Sequence, residues 1–243
     1  NIIAYNVKPD ADCVVLAGSH YDSKFFDSFR YVGANDSGSS SVLLIHLMKY
    51  LLDNKAAINM RCDIMAIWFD GEEAYLPNWT DGERRHPVQK QDNTYGSRHF
   101  VDQLTSCEFE GTKAWCLPED LGAKPIIALV LMDMVGMPDL LVSRDSFSTD
   151  KLVTLMSNAF TELDAASHLA TRESPISDDH VPFIRKKISA VDMIDFNNLD
   201  SWHRPGDELD KISFESIELA GRAGTYLLLN ISLNPKVFLT PAE

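Results

Sequence analysis

What most constrains the fold is an alternation of short, nearly unbroken apolar runs with longer stretches of helical periodicity. Residues 2–7, 13–18, 62–69, 126–132 and 188–194 are apolar runs of strand length. Residues 39–52, 95–104, 150–163 and 214–231 read as helices. In the first of these, Val42, Leu43, Ile45, Leu47, Met48 and Leu51 supply a broad apolar face, and Ser213 is placed to cap the last. Strands that are apolar throughout, separated by helices, predict a mixed, mostly parallel sheet covered on both faces. The expected fold is therefore α/β, a single-domain three-layer sandwich over residues 1–243. Residues 74–93 are polar and hold Pro77 and Pro87, which marks an inserted loop rather than a domain boundary.

Such sheets gather ligands at the carboxyl ends of their strands. His20 and Asp22 follow the second run, and Asp70, Glu72 and Glu73 follow the third. Asp133 follows the fourth, Asp195 and then His203 follow the fifth, and Asp36 precedes the first long helix. A lone Asp in a loop is ordinarily a turn or cap residue. Acids and histidines delivered to one rim by several independent strands need another explanation. Asp, Glu and His are the ligands a catalytic zinc accepts, commonly three from the protein with a fourth position open. The adjacent Glu72 and Glu73 are informative, because consecutive residues in a turning segment point different ways. One can bind a metal while its neighbour faces a substrate as a base. A solvated acidic turn is the competing reading of Asp70–Glu73 taken alone.

The net charge of −14 sets the surface against phosphate backbones, so nucleic-acid binding is excluded as the working function. No apolar run approaches the roughly 18 residues of a membrane span. Cys13 and Cys62 each open a strand-like run and read as buried thiols, with a bridge as the alternative. Cys107 and Cys116 bracket a short polar segment for which a local disulfide and two thiols stand equal. Asn-x-Ser/Thr triplets at Asn35, Asn78 and Asn230 lean weakly toward secretion.

Six motifs then occur in order: His20-Tyr21-Asp22-Ser23-Lys24, Gly33-Ala34-Asn35-Asp36-Ser37, Phe69-Asp70-Gly71-Glu72-Glu73-Ala74, Tyr95-Gly96-Ser97-Arg98-His99, Asp178-Asp179-His180-Val181-Pro182-Phe183 and Trp202-His203. Together they resemble the animal-type zinc-dependent glutaminyl cyclases, which share the zinc aminopeptidase fold. Trp79 and the long loop before Tyr95, the doubled acid Asp178-Asp179, and Trp202 before His203 favour the cyclases over the peptidases. The resemblance implies an acyltransferase that converts the N-terminal glutamine of peptides to pyroglutamate and releases ammonia, with one zinc per chain. It further implies a secreted or secretory-lumen enzyme, acting as a monomer.

Position by position, Asp36, Glu73 and His203 match the zinc ligands and Glu72 the catalytic acid/base. Asp133 and Asp178 match carboxylates that form a hydrogen-bonded network with the base around the substrate's nitrogen groups, which would leave Asp133 unfit to bind a second metal. Trp79 and Trp202 match pocket walls, although Trp202 also reads as a core aromatic. Lys24 reads as a surface charge, and His180 as a structural histidine holding its loop. Three departures stand out. Ser19 and Ser41 occupy the places of a family disulfide, the usual pocket Phe is replaced by Asn198 or Leu199, and the family's leading helices and first strand are expected to be missing ahead of residue 1. The rival readings are a zinc aminopeptidase, in which His20 and Asp133 would hold a second zinc, and a non-catalytic peptide-binding relative. The survival of every ligand and of the base counts against the last.

Overall fold

The computed structural model describes residues 1–5, 7–75 and 92–242. In chain order its strands are β1 (Ile2–Ala4), β2 (Val14–His20), β3 (Asp63–Phe69), β4 (Thr105–Phe109), β5 (Thr112–Cys116), β6 (Ile126–Asp133), β7 (Val142–Asp145), β8 (Leu169–Ser174) and β9 (Ser189–Ile194). Its helices are α1 (Ser40–Asn54), α2 (Tyr95–Asp102), α3 (Asp150–Glu162), α4 (His180–Arg185), α5 (Phe214–Leu233) and α6 (Pro235–Phe238). The central sheet runs β1-β3-β2-β6-β9, with β1 antiparallel to β3 and the other pairs parallel. Every residue of β2, β3, β6 and β9 is buried, in keeping with their largely apolar sequences.

Successive strand residues point to opposite faces, and each face has its own core. Val15, Ala17, Ile64, Ala66, Val130 and Met132 pack against Leu47 of α1, Phe160 of α3 and Leu227 of α5. On the other face Leu16, Met65, Ile67, Phe69 and Leu129 meet Phe100 of α2 and Phe183 of α4. Three layers result. The buried stripe of α1 is Leu43, Leu44, Leu47, Met48 and Leu51. It is narrower than the sequence suggested, since Val42 and Ile45 lie on the outer side, 49% and 56% exposed. Ser213 caps α5 by accepting the Ser216 N–H at 3.2 Å.

The reading of Cys13 and Cys62 as free thiols is corrected: they form a disulfide. Parallel pairing of Val14 with Asp63 sets the two cysteines side by side at the entry to β2 and β3, with Cα atoms 4.6 Å apart. Cys107 and Cys116 are also bridged, across the β4–β5 hairpin. That hairpin and the short parallel β7–β8 pair were not anticipated, because their strands are short and largely outside the cores. Ser19 and Ser41 do meet, at 3.4 Å between hydroxyls, and Ser41 donates to the His20 carbonyl at the end of β2 at 2.6 Å. Of the glycosylation triplets, Asn35 is buried, so its side chain is closed to modification. Asn78 and Trp79 lie outside the described residues. No described helix is long and apolar enough to cross a membrane.

After β2 the chain passes through α1 to β3 on one side of the sheet and later returns to β6 on the other. The switch point lies between β2 and β6, where ligand sites of open α/β sheets form.

Candidate active site

Five segments converge at that switch point. His20 and Asp133 end β2 and β6, and His20 Nε2 lies 3.4 Å from Asp133 Oδ1. Asp36 enters from the turn ahead of α1, its Oδ1 3.1 Å from His20 Nε2. Glu72 and Glu73 follow β3 in a turn that begins at Gly71, and His203 arrives from the loop after β9.

The Glu72–Glu73 turn is held from two sides. Asp22 accepts the Glu72 and Glu73 N–H groups, one on each carboxylate oxygen, at 3.1 Å. The start of α2 pins the other side, with Thr94, Tyr95 and Gly96 donating to the carbonyls of Glu72, Gly71 and Asp70. A Cβ on Gly96 would fall 2.6 Å from the Asp70 nitrogen, so the Tyr95-Gly96-Ser97 motif has a steric cause. Ser97 donates to Asp179, which joins that motif to the doubled acid.

Asp36, Glu73 and His203 form one compact group: His203 Nε2 is 3.1 Å from both Glu73 oxygens and 3.5 Å from Asp36 Oδ2. Glu73 Oε2 is buried and accepts no hydrogen bond among the described residues. An orphaned carboxylate oxygen beside a second carboxylate and an imidazole fits a divalent cation. Burial, and then the Asp36 charge, push the Glu73 carboxyl above its usual range. At His203 burial opposes the positive charge, but Asp36 and Glu73 outweigh it and carry the imidazole up to about 9. His20, Asp36 and Asp133 make a second group of ligand-bearing residues within reach of one ion.

Glu72, unlike Glu73, faces a cavity of about 280 Å³. One wall of it is acidic, made by Asp36, Glu72, Asp133 and Asp178; another is apolar, made by Ile176, Ile194, Phe196 and Trp202. Burial and then Asp178 raise the proton affinity of Glu72 well above that of an ordinary glutamate. Burial likewise raises Asp178, and carries Asp133 to about 7 against the opposing pull of His20. A larger cavity, about 530 Å³, lies between α1 and α5, away from the strand ends.

Of the residues singled out for chemistry, His20, Asp36, Glu72, Glu73, Asp133, Asp178, Trp202 and His203 meet here, whereas Asp70 is exposed and Asp195 instead accepts the Leu141, Asn197 and Asn198 N–H groups; two readings are corrected. Asp133 accepts the Met134 N–H at 2.8 Å and faces His20, near enough to Asp36 and Asp178 for both charges to act on it. Lys24 is no surface charge: it is buried, donates to the Ala74 carbonyl at 2.6 Å and lies 3.8 Å from Glu73 Oε2. The pocket Phe is not lost to Asn198 or Leu199, because Phe196 lines the wall instead. Its ring meets Trp202 edge to face at 5.3 Å, while Trp202 stacks on His203 at 4.1 Å. His180 is buried and sits between Asp145 at 3.0 Å and Asp192 at 3.7 Å.

Tyr31 and Asp207 were missed altogether. Asp207 accepts the Asn35 and Asp36 N–H groups, and the Tyr31 hydroxyl lies within hydrogen-bonding distance of both Asp36 and Asp207. Phe196 carried a signal, an aromatic two residues past a strand end. Asp207 lies four residues past His203 in a polar turn and carried none.

Comparison with known proteins agrees with this geometry. The chain is 27% identical over 239 residues to a glutaminyl-peptide cyclotransferase of Drosophila melanogaster. That alignment takes in 90% of this chain and 61% of the relative, and the curated relatives it matches are spanned to about three-fifths of their length. Among solved structures, a glutaminyl cyclase from an Acidobacteriales bacterium superposes with a TM-score of 0.73 at 28% identity, covering 92% of this chain and 71% of that one. A leucine aminopeptidase precursor from Bacteroides thetaiotaomicron shares the fold, with a TM-score of 0.73 at 18% identity, covering 94% and 75%. The model of peptidase family M28 matches residues 1–228, which takes in the whole central sheet and every ligand-bearing loop, and the chain belongs to that family.

Proposed function

We propose that this chain is a zinc-dependent glutaminyl-peptide cyclotransferase, converting an N-terminal glutamine of peptides or proteins to pyroglutamate with release of ammonia. The observation that carries the reading is the split between the two glutamates. Glu73 turns to the Asp36–His203 group while Glu72 faces the cavity with a raised proton affinity. The relatives named for this reaction support it.

In this reading Asp36, Glu73 and His203 hold one zinc, which would supply Lewis acidity toward the γ-carbonyl oxygen. The acidic wall of Asp133 and Asp178 attracts the substrate's amino terminus, and Phe196 and Trp202 cover its methylene groups. Glu72 takes a proton from the α-amine, whose nitrogen bonds to the γ-carboxamide carbon. The bond from that carbon to the side-chain nitrogen breaks as Glu72 returns the proton, and ammonia leaves. The nucleophile belongs to the substrate, so the cavity's contribution is orientation and exclusion of water. Residues 1–243 act as one catalytic domain, as a monomer, in a secretory compartment. The two disulfides support that location.

The second reading, an aminopeptidase using two metals, is favoured by the His20–Asp36–Asp133 group. Incubation of the zinc-loaded chain with a Gln-initiated peptide separates the readings. Ammonia is the product predicted here, free glutamine is the peptidase product, and neither would leave a binding module.

A further inference from the structure

Two of the ligand-bearing residues, Asp36 and His203, come from loops far apart in the sequence, and no strand pairing joins those loops. What joins them is a side chain that the mechanism does not use. Asp207 is buried in the turn just after His203. Its Oδ1 accepts the Asn35 N–H at 2.7 Å and its Oδ2 the Asp36 N–H at 3.1 Å. The Asp207 carbonyl also accepts the Ala34 N–H at 3.4 Å. Three consecutive backbone donors of the Asp36 turn are thus tied to the His203 loop.

Tyr31 completes the link. Its hydroxyl is 3.2 Å from Asp36 Oδ2 and 3.1 Å from Asp207 Oδ2. Asp36 Oδ2 is the oxygen that faces His203 Nε2, at 3.5 Å. The Tyr31 ring meets the His203 ring edge to face at 6.0 Å, and Phe26 packs on both, at 5.5 and 5.9 Å. One phenol therefore restrains the carboxylate of one ligand by its hydroxyl and the imidazole of another by its ring.

We infer that Tyr31 and Asp207 are positioning residues of the metal centre: Asp207 fixes the separation of the Asp36 and His203 loops, and the Tyr31 hydroxyl fixes the rotation of the Asp36 carboxylate. The inference rests on the metal-centre reading but not on the identity of the substrate. Outer partners that orient metal ligands ordinarily contribute about 10–100-fold in metal affinity. Tyr31→Phe keeps the ring and removes only the hydroxyl. Asp207→Ala removes the tie between the loops.

The test is zinc affinity by chelator competition on the full chain, with thermal unfolding of the metal-free protein measured in parallel. Tyr31→Phe is expected to weaken zinc binding by about 10-fold, with the unfolding midpoint of the metal-free chain unchanged, and Asp207→Ala by about 100-fold. With cobalt in place of zinc, the visible absorption of Tyr31→Phe should shift, reporting an altered ligand arrangement that a purely structural role would not give. Zinc affinity and cobalt spectrum both unchanged in Tyr31→Phe would overturn the assignment, whatever Asp207→Ala does to folding. A wild-type chain that binds no zinc would overturn the metal-centre reading itself, and is told apart because the loss then precedes any substitution.

Discussion

Glu72 and Glu73 are neighbours in sequence, yet their surroundings give them different chemistry. Glu72 lines the cavity and has Asp178 as its strongest charged neighbour, whereas Glu73 packs against Asp36 and His203. Glu72→Gln keeps the shape and removes the proton acceptor. It should lower turnover by about 10²–10⁴-fold while zinc, measured by atomic absorption after dialysis, stays bound. Loss of zinc from that variant would exchange the two roles. His203→Ala and Asp36→Ala should do the reverse and lose the metal on dialysis, because each removes one of the three proposed protein ligands. Full occupancy in either would take that residue out of the ligand set. Phe196 belongs to the same scale. Phe196→Ala opens the wall that Trp202 leans on and should cost on the order of 10-fold in kcat/KM for a Gln-peptide, with zinc content unchanged. An unaltered kcat/KM would remove Phe196 from the substrate wall.

The elements place these residues, and the least obvious placement is that of the Asp178 segment. It follows the exposed strand β8, so no sheet core fixes it. Asp145, at the end of β7, does so instead. Its carboxylate accepts the N–H groups of Phe147 at 3.1 Å, Ser148 at 2.7 Å and Ile176 at 2.9 Å, and stands 3.0 Å from His180 Nε2. Although burial opposes ionisation, His180 and these donors hold Asp145 below the usual carboxylate range. Its folded value is thus lower than its unfolded one. The stabilisation is present above about pH 4, the ordinary carboxylate value, and is lost as pH falls through the folded value. Asp145→Ala strands the buried Ser148 and Ile176 N–H groups and the buried His180, and should cost about 3–5 kcal/mol by denaturant unfolding. It should also flatten the acid limb of the stability profile. A change within experimental error would mean that β8 and α4 hold the pocket wall without it. The Cys13–Cys62 bridge is the other non-local tie, across 49 residues of sequence, and its removal should cost about 2–5 kcal/mol.

For the whole molecule, the sequence carried the sheet because the signal is local. Buried parallel strands are largely apolar, and polar residues at their carboxyl ends gather at the rim where Asp36, Glu73, Asp133 and His203 meet. The motifs were legible for a related reason, since Gly96 and Ser97 answer to steric and hydrogen-bonding demands fixed by the same turn. What escaped was set by pairing across the chain. Cys13 and Cys62 were each placed at a strand entry, but only the parallel register brings them together. Lys24 looked solvated because nothing near it in sequence shows that the Ala74 carbonyl caps it in the interior. Tyr31 and Asp207 meet only in the fold, across 176 residues of sequence. Asp133 faces His20, which leaves a second group of possible metal ligands intact.

That second group is why the central claim, cyclisation at a single metal, is best tested by counting metal and product together. The metal-free chain is titrated with zinc while mass spectrometry follows a Gln-initiated and a Leu-initiated peptide in the same vessel. The Gln-peptide is expected to lose one ammonia, reaching its full rate at one zinc per chain, and the Leu-peptide to stay intact with further metal. Release of leucine that rises with a second zinc, with the Gln-peptide shortened by one residue rather than cyclised, would contradict the central claim.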